Sequence, residues 1–354
     1  FLLLRTLGLC LALFITLAVP ASAQGKTVQT MNGLAFPDVP PNSPYSFLVI
    51  GHAYGRSVST HNLPHHLPAA SLLGNVEKLR RLKPDFVMTL GDVYWRLETK
   101  WVDSFKRMIM DRLNVPFVNA IGNHDITRLT GSEKVVLEPD EYRRRFGPTY
   151  YSFRAGSDLH IVLDTVSEGR SITGPQKTFL DSQIARANKE AGIRNVMFWS
   201  HHLLWTQIDS RYRWLKGDPG DWNFKSEIYP HLLTLAKSKN VFWGSGNFGE
   251  PPNISLFFDR RESDNLTVFA TGIGDTRHDL VLLVVVGADA KVSFTPVSLT
   301  GEDLKGVEQF DLAANQKVAE EWYDLNWDFL VMKPRLNPPG LLEKVGIILD
   351  IRYF

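Results

Sequence analysis

Four times along this chain a short run of apolar, β-prone residues breaks off at Gly or Ser and meets a metal-ligand type of side chain. Phe47-Leu48-Val49-Ile50 closes on Gly51-His52-Ala53-Tyr54, and Phe86 to Leu90 closes on Gly91-Asp92. Val115 to Ile121 closes on Gly122-Asn123-His124-Asp125, and Asn195 to Trp199 closes on Ser200-His201-His202. Runs so short and so continuously apolar fit strands covered on both faces. Between them lie helical spacings. Leu72, Leu73, Val76, Leu79 and Leu82 predict a helix over 70–83 that Pro84 ends, Trp101, Phe105 and Met108 mark another apolar face, and a helix is expected over 175–191. Strands alternating with helices imply an α/β fold around a central sheet. In such folds ligands gather beyond the carboxyl ends of the strands, where Asp92, Asn123 and His201 fall.

The first 23 residues carry one charge, Arg5, then a long apolar run ending in Ala21-Ser22-Ala23. This pattern predicts a secretory signal peptide over 1–23 and an exported protein, periplasmic or extracellular, with no stable membrane span after cleavage. The single cysteine, Cys10, lies inside that segment, so disulfides and cysteine-ligated zinc are excluded from the remainder. Without Arg5 the 39 Lys and Arg fall to 38, equal to the 38 Asp and Glu, which gives no support to nucleic-acid binding. Residues 24–44 read as an extended lead-in and 45–298 as one domain with a β-rich second half. Residues 299–354, with Trp322, Trp327 and Pro338-Pro339, read as a C-terminal extension.

A carboxylate, an amide oxygen and an imidazole suit a divalent ion of borderline hardness such as Mn, Fe or Zn. Gly91-Asp92, Gly122-Asn123-His124-Asp125 and the late pair His201-His202 together resemble the calcineurin-like metallophosphoesterase superfamily. So do Phe146 to Phe153 leading into His160-Ile161-Val162-Leu163-Asp164, and Gly174-Pro175 opening the next helix. The resemblance covers roughly residues 45–298. It implies a four-layer α/β/β/α sandwich and a metal-dependent hydrolysis of phosphate esters, with His124 beside the metals as a catalytic group.

The chain departs from the family pattern at both ends. Where the family opens with Asp-x-His, this chain has His52-Ala53-Tyr54. Where the family closes with Gly-His-x-His, it offers Gly244-Ser245-Gly246-Asn247-Phe248-Gly249. Aligning Gly246 to Gly249 with the closing motif puts Asn247 and Gly249 at the two histidine positions; a register shifted by two puts Ser245 and Asn247 there. In the first register one of the family's two metals would meet His52, Tyr54, Asp92 and Gly249, so three of four ligands are changed. The other would meet Asp92, Asn123, His201 and Asn247, with only the last changed. The expectation is one retained metal site, or a rebuilt pair, with His52 either a replacement ligand or a structural support.

Around this set, Tyr54 is expected to line the pocket and His202 to support its neighbour. Arg96 is a phosphate contact or an ion-pair partner. The aromatic-rich segment 205–222, with Arg211 and Arg213, reads either as an ordinary surface loop with buried aromatics or as a border of the site, where the basic groups would contact phosphate and the aromatic faces a sugar or base ring. His61, His65 and His66 read as a solvated loop. Two functions stand: an exported phosphoesterase using one metal or an unusual pair, and a non-catalytic binding or assembly protein of the cell envelope on the same fold.

Overall fold

Each apolar run that opened the reading is a strand with both faces covered, which is why none of them alternates. The computed structural model describes residues 28–321 except 55–66, 131–132, 137–138, 213–214, 216–221, 250–253 and 275–276. The expected signal segment 1–23, the histidines at 61, 65 and 66, Arg213, and residues 322–354 of the extension lie outside the described residues.

In chain order the first strands are β1 (Tyr45–Ile50), β2 (Phe86–Thr89), β3 (Phe117–Asn119), β4 (Thr127–Thr130), β5 (Glu133–Val136), β6 (Tyr151–Ala155) and β7 (Asp158–Val162). They are followed by β8 (Asn195–Ser200), β9 (Asn240–Ser245), β10 (Leu256–Arg261), β11 (Leu266–Thr271), β12 (Leu280–Val286) and β13 (Val292–Ser298). The helices are α1 (Ala70–Arg81), α2 (Thr99–Phe105), α3 (Asp111–Leu113), α4 (Pro139–Phe146), α5 (Gly174–Lys189) and α6 (Tyr229–Leu235). A five-stranded sheet has the order β13-β12-β1-β2-β3 and a six-stranded sheet the order β10-β11-β9-β8-β7-β6. Strands β1, β2 and β3 run parallel, as do β7, β8, β9 and β11, so each sheet gathers several carboxyl ends at one edge.

Three apolar layers hold these sheets and helices. Phe47 and Val49 of β1 face a layer shared with Met197 and Trp199 of β8, between the sheets. Leu48 and Ile50 face the other way, onto Leu72, Val76 and Leu79 of α1. Val196 and Phe198 of β8 pack on Leu180 and Ile184 of α5 and Leu232 of α6. The result is helix, sheet, sheet, helix, the four-layer sandwich that the motifs implied. Helix α1 stops at Arg81, two residues short of expectation, because Lys83 turns left-handed (φ 51°) ahead of Pro84. No described helix is long and apolar enough to cross a membrane.

At the amino ends of the strands a buried hydrogen-bond relay ties the two sheets together. The Trp199 indole donates to His160 Nδ1 (3.1 Å), so His160 carries its proton on Nε2 and donates to the Tyr45 oxygen (3.0 Å). Tyr45 in turn donates to Asp158 Oδ2 (2.6 Å), and Asn195 donates to Asp158 Oδ1 (2.8 Å). Burial pushes Asp158 up to about 6 and His160 down to about 3.

The two groups act oppositely on stability. Between the unfolded carboxyl value, about 4, and the folded one, the native state alone keeps the Asp158 proton, so that group makes stability fall as pH rises. Over much of the same range only the unfolded chain protonates His160, so that group makes stability rise. Asp158→Asn removes the falling contribution. Relative to wild type, the variant should therefore gain stability as pH goes from about 4 to about 6, measured by urea midpoints. A difference that stays constant with pH would contradict the assignment.

Candidate metal centre

Asp92 follows β2 by three residues and lies in the left-handed region (φ 54°), buried to 2% exposure. Such a backbone is costly for a residue other than Gly, and the surroundings must hold it. Asp125 does so. Its Oδ2 accepts the amides of Asp92 (3.0 Å) and Gly122 (2.9 Å), and its Oδ1 accepts those of Val93 (2.9 Å) and Tyr94 (3.2 Å). A side chain at Gly122 would come within 2.1 Å of the Asp92 nitrogen, so the two loops meet this closely only across Gly. Burial, followed by the charge of Asp92, pushes Asp125 up to about 7 against the pull of those amides.

Three imidazoles surround Asp92, each fixed by a main-chain carbonyl. His201, just past β8, bonds Leu90 O through Nδ1 at 2.9 Å. His52, just past β1 and also left-handed (φ 52°), bonds Ile273 O through Nδ1 at 3.0 Å. His124 bonds Trp95 O through Nδ1 at 3.0 Å and donates its main-chain amide to Asp92 Oδ1, also at 3.0 Å. A carbonyl only accepts, so each Nδ1 carries the proton. The Nε2 atoms of His52 and His201 lie 3.7 and 3.6 Å from Asp92 Oδ2. Although burial raises Asp92, the nearby His201, His124 and His52 hold it below its ordinary value.

His201 Nε2 also lies 3.1 Å from Asn123 Oδ1. Burial lowers the His201 pKa against the pull of Asp92, which favours the neutral ring, and with Nδ1 protonated that tautomer turns an Nε2 lone pair toward the amide oxygen. Two lone pairs at that distance, with a carboxylate oxygen beside them, suit a cation between them. Among the described residues no group of three or more His, Cys, Asp and Glu is preassembled around one point. The candidate set is a looser one, with Asp92 as its only carboxylate and amide oxygens completing it. Separations of 3.6–3.7 Å compare with roughly 3.4 Å between neighbouring tetrahedral ligands at zinc bond lengths.

At the closing block, Asn247 donates its main-chain amide to His201 O (2.8 Å) and keeps its side chain partly exposed. The Ser245 hydroxyl instead bonds Ser200 Oγ (3.1 Å) and the Trp205 indole (3.2 Å), inside the sheet-helix layer. Of the two registers, the geometry thus favours the one with Asn247 and Gly249. A side chain at Gly249 (φ 97°) would come within 2.5 Å of the Gly272 carbonyl, so nothing larger than hydrogen fits there.

Tyr54 lies beside these histidines, its ring 4.3 Å from that of His52 and 5.0 Å from that of His124. His202, expected either to point into the core or to support its neighbour, is buried and bonded through Nδ1 to Thr165 O (2.8 Å). Arg96 sets its guanidinium 5.8 Å from the Trp95 ring centre.

Arg211 follows the surface-loop alternative and does not border the metal centre. Its guanidinium is bound to Asp209 and borders a cavity of about 480 Å³ with Asp259, Arg260, Arg261 and Asp311. Arg261 pairs with Leu266, which pairs with Val241 near the start of β9. That register sets the cavity toward the amino ends of the strands, opposite the metal centre. The turn after Ile208 carries Arg211 outward, a course that residue type alone does not reveal. Sequence reasoning missed Asp125 and Trp95; Asp125 stood inside the Gly-Asn-His-Asp block without a role.

Residues 64–224 match the family model of the calcineurin-like phosphoesterases. The chain carries a calcineurin-like metallophosphoesterase domain. The match begins after His52 and ends before Asn247, so the two altered blocks fall outside it. The metallophosphoesterase domain is also similar to "Serine/threonine-protein phosphatase CPPED1" of Pongo abelii and of Homo sapiens. Each is 30% identical over 141 residues, 36% of this chain and 43% of the relative, so the match spans less than half the length of those proteins. Among solved structures, a purple acid phosphatase from yellow lupin (Lupinus luteus) seeds is similar with TM-score 0.49 and 12% identity, covering 75% of this chain and 54% of that one. A dimetal phosphatase from Danio rerio is similar with TM-score 0.42 and 13% identity, covering 73% and 98%.

Proposed function

We propose that the chain hydrolyses a phosphomonoester or phosphodiester with one divalent cation held by Asp92, Asn123 and His201, completed by His52 or Asn247. The observation that carries this reading is the convergence of three ligand-type atoms, His201 Nε2 lying 3.1 Å from Asn123 Oδ1 and 3.6 Å from Asp92 Oδ2. The second cation of the family lacks support. Its expected donors are a phenol at Tyr54, a histidine at His52 and no side chain at Gly249. Bound at Asp92, a divalent cation would polarise a phosphoryl oxygen and lower the pKa of a water.

The chain's own residues do the rest. His52 and His201 are held in the ligating tautomer by Ile273 O and Leu90 O. With Nδ1 of His124 committed to Trp95 O, proton exchange with substrate runs through Nε2. The water oxygen bonds phosphorus while the bond to the leaving oxygen breaks with its electron pair. His124, doubly protonated, gives that oxygen its Nε2 proton, and the proton that the water loses returns through solvent to Nε2, so the ring ends as it began. Export of the protein belongs to the same proposal and rests on residues 1–23 alone. A sugar-linked substrate gains no support from segment 205–222, where Trp205 and Tyr212 are fully buried.

Aryl phosphate mono- and diesters incubated with the chain and Mn, Fe or Zn test the proposal. Hydrolysis that chelator abolishes and a single added metal restores is the expected result. A chain inactive on both ester types with all three metals would contradict it and favour the non-catalytic alternative.

A further inference from the structure

We infer that Trp95 is a positioning residue for His124, so that leaving-group departure depends on an indole six residues past β2 and outside every family motif named above. The inference rests on the hydrolase reading just given. The Trp95 and His124 rings are stacked, with centroids 4.4 Å apart and planes at 25°. The carbonyl of Trp95 also accepts the His124 Nδ1 proton at 3.0 Å. One residue thus fixes the imidazole in two independent ways, across its face and along its edge.

Tyr54 closes the third side, 5.1 Å from Trp95 at 67° and 5.0 Å from His124 at 51°. The Arg96 guanidinium stands 5.8 Å from the Trp95 ring centre. With His124 on its face and Tyr54 against it, Trp95 is poorly placed as a platform for a substrate ring. Its indole instead restricts rotation of the imidazole about χ2, a soft torsion with broad wells. The carbonyl remains in any Trp95 variant, whereas the stacked face does not. Substitution therefore isolates the contribution of stacking.

Loss of that face should slow only a step that needs His124 accurately aimed. An ester whose leaving oxygen is a strong base needs a proton as the bond breaks, while a nitrophenolate leaves without one. The experiment compares the metal-loaded wild type, Trp95→Leu and Trp95→Phe on p-nitrophenyl phosphate and on an alkyl phosphate. Metal content and thermal midpoint are recorded for each. Trp95→Leu should lower kcat on the alkyl ester by about tenfold and on the nitrophenyl ester by less than about twofold, with KM and metal content unchanged. Trp95→Phe, which keeps an aromatic face, should recover most of the loss. Equal losses on both esters, or lost metal, would overturn the inference and leave the hydrolase reading intact. A wild type inactive on both esters would overturn both.

Discussion

Asp92→Asn is expected to remove both bound metal and hydrolysis while the chain stays folded. Asp92 is the only carboxylate of the candidate set, and its two oxygens have separate duties. Oδ1 accepts the His124 amide at 3.0 Å, which an asparagine oxygen can also do. Oδ2 lies between His52 Nε2 and His201 Nε2, and there an amide nitrogen would bring hydrogens and no charge. A cation polarising phosphate contributes several kcal/mol to the transition state, and each 1.4 kcal/mol is tenfold in rate. The expected loss in kcat/KM is therefore about a thousandfold or more. The chain should still fold, because the isosteric amide keeps the contact at Oδ1, although the pull of His201, His124 and His52 that favours the carboxylate is lost. Metal equivalents, circular dichroism and kcat/KM on the same preparation check the prediction. A variant keeping most of its activity would contradict the site.

Asp125→Ala should cost more in stability than any other single change near the site. Its carboxylate accepts main-chain amides from Asp92, Val93, Tyr94 and Gly122, and the residue is fully buried. Deleting it leaves several buried donors unpaired, each worth about 1–3 kcal/mol, and opens a polar cavity. A total near 4 kcal/mol and a drop in thermal midpoint of about 10 °C are the expected scale for a domain this large. Asparagine is no substitute, since one arm of its amide would point hydrogens at amide hydrogens. The same change frees the left-handed turn at Asp92, so metal affinity should fall along with stability. Differential scanning calorimetry and metal titration read the two effects. A melting shift under about 2 °C would show that the four hydrogen bonds do not hold this loop.

The strands that could be read from sequence are those with both faces covered. Leu48 and Ile50 against α1, with Phe47 and Val49 between the sheets, leave no polar position to interrupt the run. Edge strand β10 was not legible, because Leu256-Phe257-Phe258 continues into Asp259-Arg260-Arg261, a pattern shared with any amphipathic loop. The β4–β5 hairpin lacks a comparable apolar run. At the site, Gly91-Asp92 and Gly122-Asn123 could be read because ligand-type residues after strands need no knowledge of packing. The roles of Asp125, Trp95 and the carbonyls of Leu90 and Ile273 depend on how two sheets meet, which local spacing does not encode. Arg211 misled for the same reason. His201, earlier in the same segment, lies at the carboxyl edge, but Asp209 holds the Arg211 guanidinium beside the cavity that β10 borders.

Metal content settles the central claim most directly. The family pattern calls for two cations, whereas the donors present here are rich around Asp92, Asn123 and His201 and poor at Tyr54 and Gly249. Elemental analysis of the purified chain, after loading with Mn, Fe or Zn and removal of excess, should give about one equivalent per chain. Two equivalents would show that His52 and Tyr54 rebuild the second position, and none would show that Asp92 and His201 hold no metal at all.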